Sequence, residues 1–209
     1  FTTMLLADMG AEVIKVEPPW GDPWRSSQKF SPTESRGFMA FNRGKLSLPL
    51  DLAKPEAQKI VHRLVAQADV SMMNYRPDVA VKLGIDYETL SALNPQLIYC
   101  ELTAFGRQGP DAPRPGYDGI LQARSGLLAA DGKIAEDVPL FISASPLIDI
   151  SSGMTLAWCV CGALYARERT GRGQKVETIM LAASTVLLGS RLSQVEKLDR
   201  EGRERSLEQ

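Results

Sequence analysis

Short β-branched runs alternating with helical patterns constrain this chain more than any other feature. Glu12-Val-Ile-Lys-Val-Glu17 has strand length, and Pro18, Pro19 and Gly21 stop it. Leu46-Ser-Leu-Pro-Leu50 is a second strand, whose Pro49 assigns it to an edge or a strand end. Asp69 to Met73, Leu97 to Leu102 and Gln174 to Thr178 complete the set. Between them, Lys54 to Ala68 carries Ile60, Val61, Leu64 and Val65 at helical spacing, with Pro55 and Glu56 in its first turn. Two short helices are predicted at Val79 to Leu83 and Tyr87 to Leu93, a longer one from Tyr117-Asp118 through Ala130, and another from Met180 to about Val195. Strands that take turns with helices predict an α/β fold: a Rossmann-like, mostly parallel sheet with helices on both faces.

The opening F-T-T-M-L-L-A-D-M-G reads as the later part of a helix closed by Gly10. A chain that starts so abruptly is expected to begin inside a domain. Residues 1–195 are expected to form one large domain incomplete at both ends, and the charged stretch 196–209 a solvated helix end or tail.

Charge excludes some partners. With 24 basic and 25 acidic residues the net charge is −1, which predicts no strong attraction to nucleic acid or to an anionic membrane. The longest apolar run, Met154 to Ala166, is shorter than a bilayer span. Cys100, Cys159 and Cys161 lie in predicted element interiors, so buried free thiols of a cytoplasmic protein are expected rather than a disulfide framework. Their spacing does not suit a metal site. No G-x-G-x-x-G follows a strand, and G-x-x-x-x-G-K-[S/T], G-x-S-x-G and H-E-x-x-H do not occur. A Rossmann-like sheet without the dinucleotide fingerprint needs a different ligand.

Ligands of open α/β sheets bind at the C-terminal ends of the strands. Asn74-Tyr-Arg-Pro77 directly follows such an end, which makes Asn74, Tyr75 and Arg76 candidate contacts. The polar loop 18–36, with Trp20, Trp24 and Arg25, is long enough to be functional. His62 lies among polar neighbours on a helix and reads as a surface residue. Asp149 stands just ahead of Ser151, Ser152 and Gly153, which open a long apolar helix ending in Arg167, Arg169 and a T-G-R-G-Q turn. A helix N-terminus favours an ionised acid and binds anions, so Asp149 reads either as a cap or as a poised carboxylate. These residues alone leave both readings open.

Several ordered blocks resemble class III CoA-transferases, the family that includes formyl-CoA transferase, carnitine CoA-transferase and alpha-methylacyl-CoA racemase. They are M-L-L-A-D-M-G-A-E-V-I-K-V-E-P-P (4–19), F-N-R-G-K (41–45), N-Y-R-P-D (74–78), L-G-I-D-Y-E-T-L-S-A-L-N-P-Q-L-I-Y-C (83–100), A-F-G-R-Q-G-P (104–110), R-P-G-Y-D (114–118) and R-T-G-R-G-Q-K-V-E (169–177). The resemblance implies transfer of coenzyme A between an acyl-CoA thioester and a free carboxylic acid, with the covalent nucleophile at Asp149. Tyr117 occupies the position where the racemases carry His, and a phenol of pKa near 10 is a poorer base at neutral pH than imidazole, so transferase is favoured over racemase or isomerase. A non-catalytic CoA-binding remnant is the third reading.

The resemblance places CoA contacts at Leu50, Asn74 and Tyr75, with Arg76 assisting and Lys82 near the phosphates. It implies acyl-CoA as substrate, with no tightly bound cofactor and no metal, and an interlocked homodimer for the full-length protein. The small C-terminal domain of the family is expected to fall outside this sequence.

Overall fold

The computed structural model describes residues 1–27, 29–32, 35–130 and 146–189. Helices α1 (Thr2–Asp8), α2 (Arg36–Asn42), α3 (Pro55–Val65), α4 (Pro77–Lys82), α5 (Tyr87–Leu93), α6 (Asp118–Ser125), α7 (Leu127–Ala130), α8 (Leu147–Thr170) and α9 (Met180–Leu188) alternate with strands β1 (Val13–Glu17), β2 (Lys45–Pro49), β3 (Val70–Met73), β4 (Ile98–Thr103) and β5 (Gln174–Ile179). Every ladder among these strands is parallel. β1 pairs with β2, Val13 opposite Lys45, and a three-stranded sheet runs β3-β4-β5, Val70 opposite Ile98 and Ile98 opposite Gln174. The α/β expectation therefore holds, with the strands in two ladders.

Side-chain alternation along β4 shows why helices cover both faces. Tyr99 joins Leu97 in a cluster with Val61 and Val65 of α3, Ala80 of α4 and Leu90 of α5. Ile98 and Cys100 point the other way, onto Leu156, Val160 and Ala163 of α8. Val16 and Leu50 pack on the first cluster, which ties the β1-β2 ladder to the same core.

Several boundaries differ from the sequence reading. The helix expected through Ala130 breaks at Gly126 into α6 and α7. Arg36, the last residue of the loop read as 18–36, opens α2, with the Ser35 side chain accepting from the Phe38 N–H. Ile60 is exposed, because α3 turns Ala57, Val61 and Val65 inward instead. Of the three thiols expected to be buried, Cys100 is, whereas Cys159 and Cys161 lie exposed on α8. The helix expected to reach about Val195 is described to Leu188, and the tail 196–209 lies outside the described residues.

Helix α8 governs the architecture. It starts before Asp149, four residues ahead of the expected Ser151, and its 24 residues make it long and apolar enough by length and composition to cross a bilayer. This overturns the expectation of too short a run. Leu156, Val160 and Ala163 are nonetheless buried on the sheet, the packing of a core helix, while Trp158 and Tyr165 are exposed.

A tight turn returns the chain from α8 to β5. Gly171 takes φ +70°, the left-handed conformation that closes many helices, and its N–H donates to the Arg167 carbonyl. A Cβ on Gly173 would stand 2.1 Å from the Leu97 carbonyl oxygen, so only glycine lets this turn lie against β4. At 1.5 Å per residue α8 is about 36 Å long, whereas six strand residues span about 20 Å. Since α8 runs antiparallel to β5, its N-terminus overhangs the C-terminal edge of the sheet by ~16 Å.

Candidate active site

That overhang sets Asp149 at the edge where α/β sheets bind ligands. The residue occupies the first turn of α8, half-buried, behind Pro146 at the cap position. Proline offers no capping side chain, and α8 receives its cap from elsewhere. Asp118, first residue of α6, accepts the Ile148 N–H at 2.7 Å and the Asp149 N–H at 2.9 Å, both on Oδ2. Its other oxygen accepts from the side chain of Gln122, one turn along α6 and buried.

Asp149 is thus not the cap of its helix, and its electrostatics run against the sequence reading. Burial raises its pKa, and the negative charge of Asp118 raises it further. A helix N-terminus favours carboxylate, but here another carboxylate occupies it. Among the described residues no basic side chain pairs with Asp149.

Tyr117 immediately precedes Asp118, as the exposed cap residue of α6. Asp118 therefore brings the two candidate catalytic positions, Tyr117 and Asp149, to one place. The loop leading there is anchored on β4. Arg107 grips the fully buried Glu101 with two hydrogen bonds of 2.6 Å, and Lys175 on β5 adds a contact of 3.0 Å.

The residues proposed from sequence for coenzyme A form a second group. Asn74 and Tyr75 are exposed directly after β3. Arg76 and Lys82 flank Asp78, at 3.3 and 3.9 Å, and both side chains are largely in solvent. Leu50 is half-buried beyond β2, its N–H donating to the Glu17 carbonyl, and it packs on the cluster that contains Met73 and Ala80. β3 lies in the same parallel sheet as β5, so Asn74 and Tyr75 leave the C-terminal edge that α8 overhangs.

Trp24 packs edge-on against Phe41, and Trp20 is exposed. Arg25 is structural: it bonds the buried Glu17 at 2.8 and 2.7 Å, and Ser47 and the Asp22 N–H complete that carboxylate's shell. His62 meets the Gly84 carbonyl at 2.7 Å, away from any candidate centre. Among the described residues no cluster of His, Cys, Asp and Glu could hold a metal.

The model of CoA-transferase family III matches residues 1–208. The chain belongs to this family. It is 39% identical over 189 residues to the acetyl-CoA:oxalate CoA-transferase of Acetobacter aceti, covering 90% of this chain and 48% of that protein. A succinate–glutarate CoA-transferase of Agrobacterium fabrum is 38% identical over 194 residues, covering 89% of this chain and 48% of that one. A solved CAIB/BAIF family protein from Brucella suis superposes with a TM-score of 0.83 at 36% identity, over 91% of this chain and 51% of its own. The chain spans about half the length of the curated relatives it matches. Asp118 is the residue that sequence reasoning missed. Its signal was an acid directly after the position that opens α6, in the R-P-G-Y-D block.

Proposed function

We propose that the protein is an acyl-CoA:carboxylate CoA-transferase in which Asp149 is the covalent nucleophile. One observation carries the reading: a half-buried carboxylate at the ligand-binding edge of the sheet, beside another carboxylate and without a basic partner among the described residues. Burial that no basic side chain offsets disfavours the ionised form, which makes this oxygen more basic and a stronger nucleophile than a solvated one.

The chemistry balances without a redox partner. An Asp149 oxygen attacks the thioester carbonyl, the C–S bond breaks, and CoA leaves as thiolate, giving a mixed anhydride. The thiolate then attacks the Asp149 carbonyl carbon and expels the acyl group as free acid, leaving an aspartyl-CoA thioester. The acceptor carboxylate repeats both steps in reverse, so no net proton is consumed. Tyr117, in place of a histidine base, fits acyl transfer better than proton abstraction at the alpha carbon.

Coenzyme A would lie along the sheet edge from Leu50, Asn74 and Tyr75 toward Asp149, with Arg76 and Lys82 at its phosphates. Exposed cations serve phosphate as point charges, and their shared partner Asp78 leaves them net positive. The relatives named above act on oxalate, succinate and glutarate, so short dicarboxylic acids are the first acceptors to try. A cytoplasmic homodimer completes the reading, and the exposed Trp158 and Tyr165 of α8 suit such an interface.

Incubation with acyl-CoA, trapping with hydroxylamine and mass mapping tests the reading. A modified Asp149 is expected, with transfer falling ~10⁴-fold or more in Asp149→Ala. Full activity in that variant, with no modification at position 149, would sink it.

A further inference from the structure

We propose that Asp118 is the positioning residue of this site: its carboxylate closes the front turn of α8 and so fixes where Asp149 stands. The inference rests on the reading of Asp149 as nucleophile, but its geometry stands alone. Two successive backbone N–H groups, those of Ile148 and Asp149, converge on one oxygen. Such a fork sets the rotation of the first turn as well as its position. The second oxygen is held by Gln122, so the clamp is itself immobilised from within α6. Pro146 supplies no alternative cap.

Two consequences follow from this geometry. The Ile148 and Asp149 N–H groups are taken, so these two do not form an oxyanion site for acyl transfer. A fixed negative charge also stands beside Asp149. The charged groups that act on Asp149 are Asp118 of α6 and the amino group of Phe1 ahead of α1. Asp118 opposes ionisation of Asp149, while its hydrogen bonds hold the same residue in place. Asparagine separates these effects, because it keeps an acceptor oxygen and loses the charge.

The test follows the Asp149 carboxyl by ¹³C NMR across pH in the unaltered chain, Asp118→Asn and Asp118→Ala, with Asp149→Asn assigning the signal. In Asp118→Asn the Asp149 midpoint is expected to fall to lower pH, while amide exchange at Ile148 and Asp149 stays close to that of the unaltered chain. Asp118→Ala should speed exchange at those two amides ~10-fold or more. In the enzyme it should lower kcat ~10²-fold with little change in KM for acyl-CoA, and asparagine should restore most of that loss. An unmoved midpoint in Asp118→Asn, or unchanged amide exchange in Asp118→Ala, overturns the proposal. If trapping at Asp149 fails while the midpoint and exchange change as expected, the nucleophile assignment falls and the role of Asp118 in the fold stands.

Discussion

Two carboxylates near the same sheet edge have opposite surroundings. Glu101, on β4, is fully buried, yet its pKa is lowered: burial pushes it up, and the hydrogen bonds from Arg107 and Lys175 outweigh that push. Asp149, on the first turn of α8, is half-buried and its pKa is raised, first by burial and then by the charge of Asp118, with the Phe1 amino group pulling the other way. Burial acts in the same direction on both, so the partner decides the outcome. Glu101 is held charged and spent on anchoring the loop that leads to Tyr117. Asp149 has no basic side chain paired with it among the described residues, the condition under which a carboxylate is available for chemistry. Strong burial alone would have picked the wrong acid.

The two sites should respond oppositely to losing a charge. The largest effect on stability is expected at the anchor. Arg107→Ala removes two hydrogen bonds and leaves Glu101 buried with Lys175 alone, and breaking a buried pair commonly costs ~3–5 kcal/mol. Urea unfolding reads this directly. A loss under ~1 kcal/mol would show that Lys175 suffices and that Glu101 is less dependent on its partners than its burial implies.

A third acid sharpens the comparison. The Glu17 pKa is lowered to about 2 from 4.5, first by the hydrogen bond from Arg25 and then by Ser47 and the Asp22 N–H. A lowered folded value gives stability that is complete above about 4.5 and lost as pH falls toward 2. Arg25 is partly exposed, so solvent screening reduces what the pair contributes. Arg25→Ala should cost ~1–2 kcal/mol at neutral pH and flatten the acid limb of a stability profile between those values. An unaltered limb would assign acid sensitivity to Glu101 instead.

How much of this was legible differs between fold and site. Strand runs such as Val13 to Glu17 and Gln174 to Ile179 declare themselves by β-branched composition, and Pro18 or Gly171 ends the neighbouring element. The α8 start was misplaced because Leu147-Ile-Asp-Ile150 has no cap residue of its own. Its cap, Asp118, lies some 30 residues away in sequence, and no local pattern reveals such a contact. For the same reason the sign of the Asp149 shift was not readable: helix position predicted a favoured anion, and a second carboxylate from α6 reversed it. Partners that come from distant elements, such as Lys175 on Glu101, Ser47 on Glu17 or Asp118 beside Asp149, decide which acids are held in ion pairs and which is not.

The smallest expected effect is the most discriminating. Asp149 has a folded pKa above its ordinary 3.8, so over the interval between the two values the folded chain binds more protons than the unfolded one. By linkage, stability falls as pH rises through that interval. Above it the penalty is constant, and below 3.8 it vanishes. Asp149→Asn removes the penalty, so the variant should be more stable than the parent at pH 7, within the ~0.5–2 kcal/mol typical of relieving a functional site, and equal to it in acid. Glu101→Gln should do the reverse, losing stability at neutral pH because Arg107 and Lys175 then face a neutral group. Thermal melts of both variants at neutral and acid pH test the pair. Loss of stability at pH 7 in Asp149→Asn would mean that this carboxylate, like Glu101, is held in place for the fold.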